Sequence, residues 1–459
     1  MTSSRESWRS GMGFLFAAIG SAIGLGVLWK FPYTIGNNGG GLFLLTYFVC
    51  ILIIGIPVLI AELLLGRESR RASIGAFTVP TPQRTFWKIG GVLGFLSSFL
   101  IMSFYSVVAG WGMSYILMSL TGLYRNPETT NMVTVFQTLS RSGGITLFWQ
   151  FLFVACTTAI VVSGVRKGIE FWGRIMTRAL FVMLVGLFVY ALSLDGFLRA
   201  FRFVFYPDIT TLKPSGILEA LGLAFFTLSL GQGVMISYGS YTGRTTDIPL
   251  MSLIIGCAVT IIAILTALTI FPIVFTFGLK PEQGTGLVFQ TLPYLFAALP
   301  GSQVLSTLFF TLFVFTAFTS AVPFIEVVST NLTELFGWSR KQATLVAATA
   351  MFLFGIPGAL SGSDSLFREW TEIYGQNFFD TIDSLCSVWI IPFAGLFASL
   401  YTGWVLKKEE IRSGFSPGTD RNRLFACWYF SVRWMVPLFI VLIIAQKSGL
   451  INVDMLTGG

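Results

Sequence analysis

Histidine is absent from the chain, and Asp, Glu, Lys and Arg together make up only 11% of its 459 residues. Without an imidazole there can be no Ser-His-Asp or Cys-His nucleophilic site and no histidine proton relay. The five cysteines, Cys50, Cys156, Cys257, Cys386 and Cys427, all fall in apolar stretches. That placement suits small packing residues rather than a disulfide framework or a zinc site. No GxxxxGK[ST] loop occurs, so a built-in ATP motor is not expected. A cleavable leader is not expected either, because Arg5, Glu6, Trp8 and Arg9 precede a long glycine-bearing apolar segment rather than a short one ending at small residues.

Long apolar runs are what the chain has in abundance. Hydrophobic residues make up 54% of it, mean hydropathy is +0.79, and the runs repeatedly exceed the roughly 18 to 20 residues needed to cross hydrocarbon. We read an all-α polytopic membrane protein with eleven spans, near 12–36, 41–66, 89–122, 147–163, 175–197, 216–241, 248–278, 302–335, 341–359, 379–405 and 424–446. Lys and Arg concentrate in connections on the N-terminal side, among them Arg67, Arg70, Arg71, Arg166, Lys167, Arg340, Lys341, Lys407 and Lys408. This predicts a plasma (inner) membrane protein with a cytoplasmic N-terminus and an external C-terminus. The same asymmetry accounts for the net charge of +8, so no nucleic-acid partner is needed to explain it.

Two of these spans are broken. Gly20-Ser-Ala-Ile-Gly24-Leu-Gly26 and Pro32 interrupt the first, and Phe225-Phe-Thr227-Leu-Ser229-Leu-Gly231-Gln-Gly233 interrupts the sixth. Non-helical backbone is tolerated at membrane depth only where it lines a cavity that uses its polar groups. Paired breaks five spans apart are the mark of an inverted-repeat transporter with its site near the midplane. The alternative is that the glycines merely permit close helix packing. The expected organisation is an N-terminal latch (1–11), a first repeat (12–197), a second repeat (216–405), and a last portion (406–459) with a cytoplasmic loop, the eleventh helix and an external tail.

The run from Gly20 to Pro32, then Asn38-Gly-Gly-Gly41, Gly55-Ile-Pro57, Glu62 and Gly66-Arg67, resembles the opening of the neurotransmitter:sodium symporter family. Tyr105, Gly110-Trp111, Phe226 to Gly231 and Thr319-Ser320 extend the resemblance to about Trp404. It implies the LeuT fold, alternating access, and sodium-driven uptake of an amino acid or amine. By the same resemblance, the N–H groups of Leu25 and Gly26 and the Tyr105 hydroxyl would receive a substrate carboxylate. The carbonyls of Ala22, Phe226 and Thr227, with Ser229 nearby, would meet its ammonium. Gly24, where monoamine carriers of the family place an aspartate, leaves room for the substrate's own carboxylate and favours an amino acid. Ile101, Val108, Gln232, Pro323 and Phe324 match side-chain pocket positions, giving a mostly apolar chamber with one amide.

For sodium, the resemblance implies oxygen ligands from Gly20, Ile23, Thr316, Thr319 and Ser320, the ligand class that hard cations require. A second family site expects asparagine where this chain has Val27 and Val259, so one ion is expected and not two. Chloride is not expected: Tyr47 and Thr227 remain of that site, but Leu223, Val259 and Ala263 offer neither amide, hydroxyl nor carboxylate. Lys30 and Asp383, with Tyr105 and Phe226, match the outer gate. Arg5 and Glu334, with Trp8, Ser240 and Tyr241, match the inner one. Glu62 and Glu326, buried and costly in the membrane, are expected to brace the broken helices. The leading expectation is a sodium symporter for a neutral apolar or weakly polar amino acid, with no organic cofactor. A sodium-independent facilitator or exchanger on the same scaffold is the second, and a non-transporting receptor a distant third.

Overall fold

In hydrocarbon a chain can satisfy its backbone only within helices or a closed barrel, and in the described residues every regular element is helical. The computed structural model describes residues 6–78, 85–122, 132–207, 212–279, 286–362, 369–415 and 421–451. Ten helices there are long and apolar enough to cross a membrane. They are α1 (Gly11–Asn37), α2 (Gly41–Ser69), α3 (Thr85–Leu120), α4 (Gly143–Val162), α5 (Val165–Ala191), α7 (Ile248–Thr276), α8 (Ser302–Phe336), α9 (Arg340–Leu360), α10 (Phe378–Val405) and α11 (Asn422–Lys447). Between α5 and α7 lies α6, in two pieces, Pro214–Thr227 and Val234–Ser240.

Proline shapes many of these helices. Its ring removes an N–H and crowds the carbonyl four residues back, and the helix answers with a locally wider turn. Phe31, Ile56, Leu292, Ile391 and Val436 each precede a proline, and each donates its N–H to the carbonyl five residues earlier. A prolyl residue inside an apolar run thus marks a distorted span rather than a helix end.

The helices sort into an inner and an outer set. In the most apolar window of each, α8 is 83% buried, α1 and α2 78% and α3 72%, against 44% for α4 and α9 and 33% for α5 and α11. The outer set keeps large apolar residues such as Phe181, Val189, Leu353 and Leu438 exposed, as suits a face against lipid. Helix α8 packs on α1, α3, α5 and α9, and the second piece of α6 packs on α2. Gly66 permits the latter contact: a Cβ there would collide with the Ile236 carbonyl.

The fifth span begins at Val165, about ten residues before the sequence reading, and carries Arg166, Lys167, Glu170 and Arg174 in its first turns. Those charges hide the start from a hydropathy argument. Contacts with the segment before α1 hold it. Short helices at Met132–Arg141, Phe197–Phe205 and Leu287–Ala297 were also not expected.

Candidate functional site

Within α1 the backbone leaves helical geometry at Gly24, with φ −15° and ψ −176°. Four helices meet around this point. The Leu25 N–H donates to the Tyr105 hydroxyl of α3 at 3.2 Å. The Ser21 carbonyl accepts the hydroxyls of Ser320 from α8 at 2.8 Å and of Ser229 from α6 at 3.1 Å. A Cβ on Gly24 would strike the Ser320 hydroxyl and sit 3.6 Å from that of Tyr105. A carboxylate reaching this point would meet a backbone N–H and a phenol already aimed at each other.

The break in α6 is held from α2 and α3. Ser229 adopts φ +54°, unusual for a residue with a Cβ. Gly231 donates its N–H to Glu62 Oε1 at 2.7 Å and accepts the Ser97 hydroxyl at 3.0 Å. The Gln232 carbonyl accepts the Ser98 hydroxyl at 2.5 Å. Side chains thus replace the ladder bonds that the unwound backbone gives up.

Ile101 and Val108 are fully buried on the helix that carries Tyr105, and the Phe324 ring meets the Tyr105 ring edge-on at 5.7 Å. Ala22 and Gln232 are each 1% exposed, and Pro323 lies inside α8. A Cβ on Gly26 would lie 2.7 Å from Cδ1 of Phe226, so the Phe226 ring rests on the α1 backbone. Helices α1 and α8 also meet beside Gly20, where a Cβ would come within 3.2 Å of Thr319 Cβ.

The hydroxyls of the expected cation site differ in what they bond. Thr319 Oγ1 donates to the Thr316 carbonyl at 2.9 Å, the local bond such residues commonly make in helices. Ser320 instead reaches across to α1, and Ile23 is fully buried. Val27 and Val259 are both fully buried, and α7 packs against the Gly26–Lys30 turn. Thr227 Oγ1 bonds its own Leu223 carbonyl at 2.9 Å and the Tyr47 hydroxyl at 2.8 Å, while Ala263 is fully buried and Leu223 6% exposed.

At the Lys30 end, Nζ lies 2.6 and 2.9 Å from the two Asp383 carboxylate oxygens and 3.2 Å from Ser387 Oγ. The same ammonium stands 4.3 Å from the centroid of the Phe226 ring, a cation–π contact that ties the ion pair to that ring. Beside this ring is a chamber of about 330 Å³, lined in part by Lys30, Tyr33, Glu219, Phe226, Val388 and Lys447.

At the other end the Trp8 indole N–H donates to the Tyr238 carbonyl at 3.1 Å and its backbone N–H to that of Tyr241 at 3.2 Å. Arg5 lies outside the described residues. Glu334 accepts the Ala72 N–H at 2.8 Å, and Ser240 donates to the Ser237 carbonyl. The strongest ionic contact here joins residues the sequence reading had not paired. Arg340 contacts both oxygens of Glu326, at 2.7 and 3.2 Å, and the Tyr241 hydroxyl donates to Glu326 at 2.6 Å. Arg340 also lies 3.7 Å from Glu6, whose other oxygen accepts the Val165 N–H at 2.6 Å. Glu170, 2% exposed, accepts the Arg9 N–H at 2.7 Å and pairs with Arg174. Acidic residues inside or bordering apolar runs were the available signal, but Arg340 had been counted only toward orientation.

The family model described as the sodium:neurotransmitter symporter family matches residues 5–134 and 128–451. An uncharacterized sodium-dependent transporter of Bacillus subtilis (strain 168), YhdH, is 34% identical over 97% of this chain and 98% of its own length. The sodium-dependent neutral amino acid transporter B(0)AT2 of Bos taurus is 30% identical over 59% of this chain and 40% of its own. In three dimensions the chain matches the crystal structure of MhsT in complex with L-phenylalanine, with TM-score 0.89 and 37% identity over 97% of this chain and all of that one. The fold is accordingly the LeuT fold, with α1 and α6 as its broken helices. On these matches and this architecture, the chain belongs to the sodium:neurotransmitter symporter family and is a multi-pass membrane transporter.

Proposed function

We propose that the protein carries one neutral amino acid and one sodium ion into the cell by alternating access, without chloride. The observation that carries this reading is the meeting of the α1 and α6 breaks around Ser21 and Leu25, with α3 and α8 supplying hydroxyls. The substrate carboxylate binds the Leu25 N–H and the Tyr105 hydroxyl. Its ammonium faces the carbonyls of Ala22, Phe226 and Thr227. Sodium sits among the carbonyls of Gly20, Ile23 and Thr316 and the hydroxyls of Thr319 and Ser320, the last two turning from their present carbonyl partners to the ion. The MhsT complex with L-phenylalanine and the B(0)AT2 relative support an amino acid as the substrate class.

The single ion follows from two buried valines. With Val27 and Val259 fully buried, a second ion would lose two oxygen ligands and face apolar walls, at a cost of several kcal/mol. Thr227 supports the same reading, since its hydroxyl already bonds Tyr47 and Leu223. The missing amides also favour a runner-up, a sodium-independent facilitator or exchanger. In orientation, the Trp8 end faces the cytoplasm, and residues 12–197 and 216–405 act as two inverted repeats.

Proteoliposome uptake of a labelled amino-acid mixture, with sodium, potassium or proton gradients imposed in turn, separates the readings. Sodium-driven uptake with a Hill coefficient near one is expected. A coefficient near two overturns the single ion, and uptake indifferent to sodium leaves the facilitator.

A further inference from the structure

Where the last two spans meet, an arginine is laid against aromatic rings with no anion beside it among the described residues. Arg433 belongs to α11 and packs on the final turn of α10. A Cβ on Gly403 would come within 3.0 Å of its Cα. The Trp404 indole N–H donates to the Arg433 carbonyl at 3.0 Å, and the Tyr429 hydroxyl donates to the Gly403 carbonyl at 3.0 Å. The guanidinium carbon stands 4.1 Å from the centroid of the Trp404 ring and 5.9 Å from those of Tyr429 and Trp434. Its Nε is buried without a hydrogen-bond partner, and no ion pair among the described residues includes it.

One face of α11 is open beside it. Phe430, Trp434, Leu438 and Val441 recur at helical spacing and are between 50% and 59% exposed, a stripe that faces lipid. Trp404, 46% exposed, continues the stripe onto α10. That helix ends one residue later, at Val405, and Lys407 and Lys408 follow. Arg433 thus stands where the apolar span gives way to charge, the depth at which Trp and Tyr gather among lipid headgroups. Lys408 opens the short helix Lys408–Phe415 and places its ammonium 5.4 Å from the centroid of the same Tyr429 ring. Glu410 of that helix is engaged by Lys407 at 3.5 Å. A snorkelling arginine extends into water, whereas this one lies against Trp404, which fixes the direction of its planar fork.

We propose that Arg433 and Lys408, framed by Trp404, Tyr429 and Trp434, bind the headgroup phosphate of an anionic phospholipid in the leaflet at this end of the bundle. The phosphate oxygens accept the guanidinium N–H groups, a charge-assisted contact, and the acyl chains lie along the stripe from Phe430 to Val441. A zwitterionic headgroup brings its own cation toward Lys408 and is disfavoured. An anionic one meets two cations and no competing charge of its own.

Native mass spectrometry of the full chain, released from nanodiscs of phosphatidylglycerol and phosphatidylcholine in equal amounts, reads the lipid retained longest. In the unmodified protein phosphatidylglycerol should be favoured about tenfold. Arg433→Met, whose unbranched chain still packs on Trp404, should remove most of that preference, and Lys408→Gln, at an exposed position, should lower it about threefold. Lys341→Gln, an exposed lysine at the start of α9, should leave it unchanged. The proposal is overturned by equal retention of the two lipids in the unmodified protein, or by a preference that survives Arg433→Met. It is equally overturned if Lys341→Gln lowers the preference as much, since attraction to basic surface at large then explains it. Should Arg433→Met fail to fold, an unchanged preference in Lys408→Gln overturns it.

Discussion

Thr319 and Glu62 illustrate two kinds of buried polar residue. The Thr319 hydroxyl bonds only a carbonyl of its own helix, so its loss should cost the fold little. Thr319→Val should change unfolding stability without sodium by less than about 1 kcal/mol, yet weaken the apparent sodium affinity of uptake at least about tenfold; a sodium titration beside a thermal melt in detergent checks both halves. Glu62 works the other way, because it satisfies an N–H of the unwound turn from another helix. Glu62→Leu should destabilise by roughly 1–3 kcal/mol by orphaning the Gly231 N–H. Glu62→Gln keeps an acceptor and should recover most of that, measured in the same melts.

Between elements, ion pairs of unequal depth cross both ends of the bundle. The Lys30–Asp383 pair is partly wet, with side chains 12% and 26% exposed, and its ammonium also rests on the Phe226 ring. Lys30→Met should speed release of a labelled substrate about tenfold, whereas Lys30→Arg, which can form a two-pronged bond, should not; dissociation kinetics decide. The Arg340–Glu326 pair is drier on its acidic side, where Glu326 is fully buried. Removing one partner of a buried pair costs roughly 3–5 kcal/mol, because the other charge is left uncompensated. Arg340→Met alone should therefore be the more damaging, and adding Glu326→Leu should restore part of the loss in a double-mutant cycle of unfolding free energies.

For the whole molecule, a carrier that opens alternately must break one closure while the other holds. Trp8 joins the segment before α1 to Tyr238 and Tyr241 by two hydrogen bonds and two edge-on ring contacts. Trp8→Ala should shift the population toward opening at that end, read as faster thiol labelling of a cysteine placed at Ser240; unchanged labelling would remove Trp8 from the closure. The proposed stoichiometry of one sodium ion per cycle also sets a ceiling. Roughly 100 mV and a tenfold gradient supply about 2.3 plus 1.4 kcal/mol, enough to concentrate a zwitterion on the order of 500-fold. A steady-state accumulation well above that would require a second ion.

Sequence alone determined the class and the places of the breaks. Apolar length and sparse charge leave a membrane chain little choice but helices, and the glycines and proline of 20–32 and the glycines at 231 and 233 can be read locally. That Val27 and Val259 are aliphatic where the family resemblance leads one to expect asparagine is equally a matter of sequence. What only tertiary structure decided is which groups face each other over long separations. Glu62 meets Gly231 across 169 residues, whereas Lys30 and Asp383, which meet across 353, are already paired by the family resemblance. Glu326 meets Arg340 around a chain turn that hydropathy reads only as a loop. The amide of Gln232 was legible as a residue, but that its oxygen is left without a partner appears only when every neighbour has been placed. Backbone preference is local, whereas satisfaction of a buried polar atom is a property of everything packed around it.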